Sequence, residues 1–360
     1  MKENNTADLS ALNSALNEKE YQEKKIELSS YPQAIFVQMD APCNQDCIFC
    51  SRPEFYSHFD LDTFREDFEE LLTPVFERVN RINLTGSGEL LFLPEAKRNL
   101  TYFNTFTHAE KMFATNGSSL TPKMTDHILE SGNRYLIHMS IHAASEAVHE
   151  TMVKAKTHQV VMENLRYANS ARPENGPLKI NLIFVATTEN IRELPEFVRM
   201  AAELGADGVV AYYNYVYRMD QKPISCYFVQ DYTDEMIESA REVGKELDIN
   251  LSLPPTFKEE HSKDTSLCNE AWSQIMVNSH GDIISCDVAG DSNENLKGKK
   301  SFMDVWNGEY YKDLRYKLVN KEFDCASFCW RANPNVAKKL RSHIITRGRT
   351  PEEVEEFLKE

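Results

Sequence analysis

The sequence predicts an α/β fold in which parallel strands, covered by helices, form an open, partial barrel. From about residue 34 to 214, short apolar runs alternate with segments whose apolar residues recur at helical spacing. Strands that alternate with helices imply right-handed crossovers and a parallel sheet. The chain supplies six such strand–helix units, too few for a closed eight-stranded barrel. The ligand site is then expected at the carboxyl ends of the strands.

The predicted elements follow one another with few interruptions. The strands are predicted at "AIFVQM" (34–39), "RINLTG" (81–86), "KMFATNG" (111–117), "YLIHMSIH" (135–142), "LKINLIFVAT" (178–187) and "GVVAYYNY" (208–215). Helices are predicted at 61–79, 94–105, 121–132, 145–170 and 190–206. The third of these helices has a Thr cap, a Pro at its first position and a closing Gly, which are strong helix boundary signals.

Beyond residue 215 the repeat stops, and the chain is expected to contain further units. One more helix and strand are predicted over 233–253, and a hairpin with its turn at 278–282. The segment 267–335 holds four cysteines and few long periodic runs, so we expect it to need a cross-link, such as a bound metal, to fold. The predicted domains are an N-terminal helical extension (1–33), the partial barrel (34–253), a small cysteine-containing domain (254–335) and a C-terminal helical tail (336–360).

Composition and charge restrict the partners. The net charge of −16 argues against a nucleic-acid partner, because phosphate contacts need clustered Lys and Arg. No window carries the 18 or so apolar residues of a membrane-spanning helix, and the polar N-terminus has no secretion signal. We therefore expect no membrane partner and a cytoplasmic location. There the 8 cysteines stay reduced, and are read as ligands or reactive thiols before disulfides.

Three of the cysteines are crowded into "CNQDCIFC" directly after the first predicted strand. Cys43, Cys47 and Cys50 form a C-x3-C-x2-C pattern on a loop at the expected ligand edge. Three thiolates can bind zinc, which needs a fourth ligand for which His58 is the nearest residue, or three irons of a [4Fe–4S] cluster with one iron left open. Ordinary core cysteines are the third alternative.

With Phe49 before the third cysteine, this pattern resembles that of the radical S-adenosylmethionine (radical SAM) enzymes. The resemblance covers residues 34–215 and implies a partial (β/α)6 barrel. It implies that SAM chelates the open iron, and that an electron, delivered by a flavodoxin- or ferredoxin-type donor, splits SAM to a 5′-deoxyadenosyl radical that abstracts hydrogen from substrate. It also implies an anaerobic oxidoreductase chemistry.

The resemblance also implies SAM contacts at the ends of later strands. "TGSGELL" matches a Gly-Gly-Glu-type segment, although Ser87 stands where Gly is common. By itself, the segment indicates only a glycine-containing loop whose backbone can be approached closely. The other positions have ordinary alternatives, such as a turn at Asn116 or a hydrogen-bonded core amide at Asn181. The implied contacts are Phe49, Gly86, Ser87, Gly88, Glu89, Asn116, Ser140 and Asn181.

A second cysteine set lies near the C-terminus. Its members are Cys268, Cys286, Cys325 and Cys329, which suit a closed, fully ligated site. The C-x12-G-x4-C stretch, the "VWNGEYYKDLR" helix and the final C-x3-C resemble the twitch domain, a shortened SPASM domain. The resemblance implies one auxiliary [4Fe–4S] cluster, so two clusters in all; a four-thiolate zinc ribbon is the alternative.

Cys226 belongs to neither cysteine set, and its role stays open. It is either a buried core thiol or a hydrogen-atom donor to a substrate radical. We expect net oxidation of a small polar substrate, such as a sugar, cyclitol or nucleoside derivative, with the auxiliary cluster as electron acceptor. The alternatives are an epimerase that uses Cys226, a peptide-modifying enzyme of the SPASM type and, least favoured, a non-catalytic electron carrier. Residues 1–33 are too short for a peptide-recognition domain and show no strand pattern, which favours the small substrate.

Overall fold

The computed structural model describes residues 2–51, 58–260, 268–286, 290–322, 329, 334–345 and 349–359. Within them the strands form one sheet in the order β10-β9-β8-β1-β2-β3-β4-β5-β6-β7. The strands are β1 (Ala34–Val37), β2 (Arg81–Asn83), β3 (Glu110–Thr115), β4 (Tyr135–Ser140), β5 (Leu178–Ala186), β6 (Gly208–Tyr213), β7 (Asn250–Ser252), β8 (Gln274–Val277), β9 (Asp282–Cys286) and β10 (Gly290–Asn295).

Helices connect consecutive strands from β1 to β7, all of which pair in parallel. The α-helices are α1 (Lys2–Gln22), α2 (Leu61–Phe76), α3 (Ala96–Phe103), α4 (Pro122–Glu130), α5 (Glu146–Val153), α6 (His158–Ala171), α7 (Leu194–Glu203), α8 (Gln230–Glu246), α9 (Glu270–Ser273), α10 (Met303–Trp306), α11 (Glu309–Val319) and α12 (Pro351–Leu358). The predicted α/β partial barrel is confirmed: the described strands have an order with two ends, so the barrel does not close.

Each inner strand has one fully buried face and one partly exposed face. In β5 the buried ring of Phe184 lies 5.1 Å from that of Phe197 on α7, so the even-numbered residues of β5 face the helices. Their neighbours Asn181 and Val185 are only half-buried and face the other side. Because side chains alternate along a strand, these half-buried residues point to the concave side of the partial barrel. The concave side is therefore the more accessible face.

The predicted hairpin near residue 280 exists, but it also joins the barrel sheet. The side-chain oxygen of Asn278 accepts the N–H groups of His280 and Asp282, both at 2.9 Å, which closes the turn between β8 and β9. Strand β8 pairs in parallel with β1, with Ala34 opposite Gln274. The C-terminal region therefore extends the sheet at β1, a pairing that the sequence pattern did not predict.

The N-terminal helix packs against this C-terminal region. The side-chain amide of Asn17 donates to the carbonyl of Trp272 at 2.8 Å, and the Trp272 indole donates to the carbonyl of Lys25 at 2.8 Å. The buried guanidinium of Arg315 donates to the carbonyl of Ile26 at 3.1 Å. The predicted domain boundaries stay predictions. These contacts join the predicted N-terminal extension (1–33) to the predicted cysteine-containing domain (254–335).

The described helices include none with the length and apolar character that a bilayer-crossing segment needs.

Candidate functional site

The loop after β1, residues 38–51, is called the cysteine loop below. It is fixed on one side by the C-terminus of α5, whose last carbonyls have no partners within the helix. The backbone N–H of Asp46 donates to the carbonyl of Val153, and that of Ile48 donates to the carbonyl of Met152, both at 3.0 Å. A turn then brings the Cys50 N–H to the carbonyl of Cys47 at 3.0 Å. The loop is thus anchored by backbone hydrogen bonds rather than by its cysteine side chains.

The three cysteines of this loop are half-buried, form no disulfide and lie near one another. Burial raises the pKa of Cys47 to about 12, and the neighbouring Cys50 and Cys43 raise it further. A metal cation would reverse this preference, since thiolates are the form that binds metal. As the described side chains stand, no group of three or more His, Cys, Asp or Glu is close enough to hold a metal ion. The structure therefore places the three cysteines near one another on one loop, but their sulfur atoms do not have the arrangement of metal ligands.

The loop after β2, residues 84–89, is called the glycine loop below, and it packs directly on the cysteine loop. The Ala41 N–H donates to the carbonyl of Ser87, and the Ser87 N–H donates to the carboxylate of Asp40, both at 2.8 Å. A Cβ on Gly86 would lie 2.5 Å from the carbonyl carbon of Met39. Gly88 has φ of +93°, and a Cβ there would lie 1.8 Å from the carbonyl oxygen of Ala41. Only glycine allows this approach of two backbones.

Glu89 is buried at the end of the glycine loop, and both of its carboxylate oxygens accept hydrogen bonds. It accepts hydrogen bonds from the Thr115 hydroxyl at 2.7 Å, from the Asn116 N–H at 2.5 Å and from the Leu91 N–H at 3.1 Å. Burial raises the pKa of Glu89, and these hydrogen bonds oppose the rise. The carboxylate thus ties the glycine loop to the carboxyl end of β3. The direct SAM contact that the resemblance implies for Glu89 stays a prediction.

Asn116 connects the end of β3 to the cysteine loop. Its side-chain amide donates to the side-chain oxygen of Asn44 at 2.8 Å and lies 3.9 Å from the sulfur of Cys43. Its own side-chain oxygen accepts from the N–H of Ser118 at 3.0 Å and from the Ser118 hydroxyl at 2.7 Å. The amide orientation is therefore fixed, and Asn116 lies next to the first cysteine.

Phe49 lies edge-on to the ring of His142, with the ring centroids 4.7 Å apart. His142 follows β4 with φ of +65°. Its Nδ1 accepts from the Val185 N–H at 3.1 Å, and its carbonyl accepts from the Asn190 amide at 2.7 Å. Burial lowers the pKa of His142 to about 3, so the ring is neutral. His142 supports the ring of Phe49 next to the third cysteine.

Two of the predicted SAM contacts lie at different heights on neighbouring strands. Ser140 is the last residue of β4, half-buried on the concave side and paired with Ile183. Asn181 pairs with Gly208 at the start of β6, and a Cβ on that glycine would lie 3.2 Å from the Asn181 side-chain oxygen. Asn181 is thus five residues short of Ala186, where β5 ends, or about 16 Å along the strand. The structure brings Ser140 to the carboxyl edge and leaves Asn181 deeper along its strand, and both SAM contacts stay predictions.

Cys226 lies near the carboxyl edge but is buried: two residues before it, the carbonyl of Ile224 accepts from the Thr188 N–H, just beyond the end of β5. It begins a 3₁₀ helix, Cys226–Val229, and is 1% exposed within the hydrophobic core. Burial raises the pKa of its thiol to about 12. Cys226 is close enough to Tyr213, which faces the helices, to raise the pKa of that hydroxyl. The structure therefore favours the core thiol over the hydrogen-atom donor, because a donor must reach the substrate.

Two buried asparagines near the carboxyl edge are not singled out by any sequence motif. Asn83 ends β2, and its side-chain oxygen has no hydrogen-bond partner within the described part of the chain. Asn214 directly follows β6, is 1% exposed, and has no such partner for either side-chain polar atom. Its N–H still pairs with the carbonyl of Ala186 at 3.1 Å, so by alternation from Tyr213 its side chain lies on the concave side. The only sequence signal is an amide at the end of an apolar run.

The second cysteine set is partly described. Cys268 precedes α9 and Cys286 ends β9, while Cys325 lies outside the described residues. Burial raises the pKa of Cys268 to about 11, and Cys286 and Cys329 raise it further, which places these three thiols in one neighbourhood. The described members do not form a metal-holding group by themselves.

Both sets have the donor chemistry that an iron–sulfur cluster requires. Free thiols on short segments are its ligands, and three of them leave one iron open whereas four close the site. At the first set, the backbone of the glycine loop packs against the backbone of Met39 and Ala41, just before Cys43. The residues present therefore fit a cluster with an open iron at the cysteine loop and, with Cys325, a closed one at the second set.

Two family models match the chain. The model described as the radical SAM superfamily matches residues 42–201. The model described as SPASM, an iron–sulfur cluster-binding domain, matches residues 268–331. The first range contains the cysteine loop thiols and the glycine loop, and the second contains all four cysteines of the second set.

Several known proteins are similar to the chain over most of its length. The PqqA peptide cyclase of Bradyrhizobium diazoefficiens is 22% identical over 316 residues, 82% of this chain and 78% of that protein. SuiB of Streptococcus suis bound to S-adenosylmethionine is 17% identical with a TM-score of 0.62, covering 81% of this chain and 69% of SuiB. SuiB bound to the precursor peptide SuiA is 14% identical with a TM-score of 0.61, covering 84% and 71%. AdoMet-bound anSMEcpe is 13% identical with a TM-score of 0.60, covering 91% and 92%. At these identities the solved structures establish the fold alone.

Proposed function

Since this chain belongs to the radical SAM superfamily and carries a SPASM iron–sulfur domain, we propose that it is a radical enzyme that modifies a peptide. Membership gives it a [4Fe–4S] cluster and SAM, and the SPASM domain adds a further iron–sulfur cluster. When bound, these cofactors supply the one-electron cleavage of SAM that yields a 5′-deoxyadenosyl radical able to abstract hydrogen.

The proposed cluster ligands are the two cysteine sets. Cys43, Cys47 and Cys50 hold the first cluster, because they are the thiols of a loop that follows β1 and packs against the glycine loop. The second cluster is held by Cys268, Cys286, Cys325 and Cys329, of which the described three lie in one neighbourhood.

The chain's own residues position SAM at the carboxyl edge of the sheet. We propose Phe49, Ser87, Asn116 and Ser140 as SAM contacts, because each lies on or beside the loops that surround the cysteine loop. Gly86 and Gly88 keep the space between the two loops free of side chains, and Glu89 holds the end of β3 in place.

One observation carries the peptide proposal: the similarity to a peptide cyclase extends over 82% of this chain and 78% of that protein. The comparisons do not support the small polar substrate that we expect from the sequence. Within the site, the side chain of Tyr212 at the end of β6 is 49% exposed, and the neighbouring Asn214 amide offers an unused donor and acceptor. An aromatic face and an amide suit a peptide side chain and a peptide group.

The proposal also bears on the reaction. An epimerase needs a hydrogen-atom donor that reaches the substrate, and the burial of Cys226 does not favour it. A reaction that links two positions of one peptide needs no such donor. The 5′-deoxyadenosyl radical would take a hydrogen atom from one position, and the new bond would form as the second position loses a proton and the remaining electron passes to the auxiliary cluster. We therefore propose an oxidative modification of the peptide, such as a ring closure.

The experiment uses the anaerobically reconstituted full chain, SAM and dithionite, with synthetic peptides encoded beside its gene as probes. We expect 5′-deoxyadenosine to form and one peptide to lose the mass of two hydrogen atoms. The Cys43→Ala variant, lacking one proposed ligand, is expected to form neither product. Consumption of a sugar, cyclitol or nucleoside from a matched panel, with all peptides unchanged, would contradict the peptide proposal. Absence of SAM cleavage under every condition would indicate an electron carrier.

A further inference from the structure

Gln221 contacts the cysteine loop from the side opposite to α5. It lies in the 3₁₀ helix Met219–Ile224, which follows β6, and is 1% exposed. Its side-chain nitrogen donates to the carbonyl of Cys50 at 3.0 Å and to that of Ile48 at 3.2 Å. Its side-chain oxygen accepts from the N–H groups of Tyr217 at 2.9 Å and Arg218 at 3.1 Å. All four hydrogen-bonding positions of the amide are therefore used.

Arg218 reinforces the same contact. Its guanidinium donates to the carbonyl of Cys50 at 2.9 Å and is held by Asp220 through hydrogen bonds of 3.1 and 3.2 Å. The Cys50 carbonyl thus accepts from both Arg218 and Gln221, and its own N–H closes the turn to Cys47. The turn that carries the second and third cysteines is therefore fixed through its backbone.

Ile48 shows that the loop is held from two sides. Its N–H donates to Met152 at the end of α5, and its carbonyl accepts from Gln221 beyond β6. Ligand geometry at a metal site depends on such partners, because the ligand side chains are only as well placed as the backbone that carries them. A buried amide that binds two carbonyls of the ligand loop fits this requirement.

We propose that Gln221 is a positioning residue that sets the Cys47–Cys50 turn, and with it the position of the bound cluster relative to SAM, with Arg218 as its partner. The inference rests on the assignment of the cysteine loop as cluster ligand and not on the identity of the substrate. It acts by hydrogen bonds to backbone carbonyls, so it needs no contact with the cluster or with SAM.

The sharpest variant is Gln221→Glu, which keeps the size of the side chain and the acceptor for Tyr217 and Arg218. It replaces the donor by a carboxylate oxygen facing the carbonyls of Ile48 and Cys50. The matched control is Gln159→Glu, which makes the same change of charge on the exposed face of α6, where the Gln159 amide donates to Glu163.

Two measurements separate positioning from general stability. In cluster-free protein, hydrogen exchange of residues 47–50 should become about tenfold faster in Gln221→Glu, as expected for about one lost hydrogen bond, with the strands unchanged. In reconstituted protein, the iron content should equal that of wild type while the SAM concentration needed to shift the cluster's EPR spectrum rises about tenfold. Gln159→Glu should match wild type in both.

The proposal is overturned if Gln221→Glu exchanges and binds SAM as wild type does, or if exchange rises equally throughout the sheet. Should this variant fail to fold, Arg218→Met carries the test, because Arg218 is half-exposed and its removal leaves no buried charge. We expect Arg218→Met to show a smaller increase confined to the same four residues, and wild-type behaviour would then contradict the proposal. Loss of peptide modification with wild-type exchange and SAM binding would concern the proposed function instead.

Discussion

The backbone N–H of Asn116 donates to the buried carboxylate of Glu89 across 2.5 Å. This bond joins the carboxyl end of β3 to the glycine loop, while the Asn116 side chain reaches the cysteine loop through Asn44. Glu89 is buried, and this burial raises the pKa of its carboxyl group. Loops that follow separate strands are thereby linked before any cofactor binds.

The first prediction concerns the pH dependence of stability at Glu89. Burial raises its pKa in the folded protein above 4.5, so the folded state holds this proton more tightly than the unfolded chain does. Its stabilising contribution is present below the ordinary pKa and is lost as the pH rises through the raised pKa. In urea unfolding of cluster-free protein, the advantage of wild type over Glu89→Gln should therefore shrink as the pH rises.

The control for this titration is Glu163→Gln, which removes an exposed carboxylate on α6. Its difference from wild type should stay nearly constant over the same pH range. A difference for Glu89→Gln that is equally constant would contradict the prediction.

The second prediction tests the packing of the two loops at Gly88. In Gly88→Ala the added Cβ would meet the carbonyl oxygen of Ala41 at 1.8 Å, so the cysteine loop must move. We expect the free energy of unfolding to fall by about 3 kcal/mol or more, and iron incorporation to fall with it.

Gly205→Ala is the matched control, since Gly205 also has a positive φ, of +74°, and its Cβ would meet nothing within 4 Å. It should cost only the conformational penalty, about 1 kcal/mol, and leave iron incorporation unchanged. Equal losses in the two variants would show that the contact with Ala41 is unimportant.

The third prediction concerns Cys226. Because this thiol is buried in the core, Cys226→Ala should lower the free energy of unfolding by about 1 kcal/mol while 5′-deoxyadenosine formation and peptide modification continue at the wild-type rate. Both rates are compared in one assay. If product formation stopped while 5′-deoxyadenosine still formed, the thiol would have to be a hydrogen-atom donor after all.

The fourth prediction is the iron content. Two cubane clusters give about eight irons per chain after reconstitution. A double Cys268→Ala and Cys286→Ala variant should retain about four and still cleave SAM. About four irons with bound zinc in the wild type would identify the second set as a zinc ribbon.

Local sequence signals predicted the barrel because its units are local. The Thr121 side chain does cap α4, accepting from the N–H of Met124, and the predicted strands contain β1 to β6 apart from the first residue of β3. The pairing of β8 with β1 was not predicted, because it joins Ala34 to Gln274 and no periodic pattern reports such distant partners. The contact of Asn17 in α1 with Trp272, and that of Arg315 with Ile26 after α1, escaped prediction for the same reason.

At the candidate site too, residues with a local sequence signal were predicted, and residues placed by distant contacts were not. Cys43, Cys47 and Cys50 were identified because their spacing is short and falls after a strand, and Gly86 and Gly88 because glycines at a strand end indicate close backbone approach. Residues that act through backbone hydrogen bonds have no such signal. The role of Gln221 depends on a fold that brings residue 221 to residue 50, and nothing in "RMDQKP" indicates it.

The last prediction concerns Asn214, whose buried amide has no hydrogen-bond partner within the described residues. A buried polar group without a partner costs about 1–3 kcal/mol, so the protein retains it against its own stability. Asn214→Leu, which has a similar shape, should therefore leave the free energy of unfolding of cluster-free protein unchanged or raise it. If the amide binds the substrate peptide, the same variant should need about tenfold more peptide for half-maximal modification while SAM cleavage without peptide stays at the wild-type rate.

Asn190→Leu is the contrasting control for stability, because the Asn190 amide donates to the carbonyls of His142 and Val185 at 2.7 and 2.9 Å, and its loss should destabilise the fold. A marked destabilisation by Asn214→Leu would mean that its amide has a structural partner, and an unchanged peptide requirement would remove it from the substrate site.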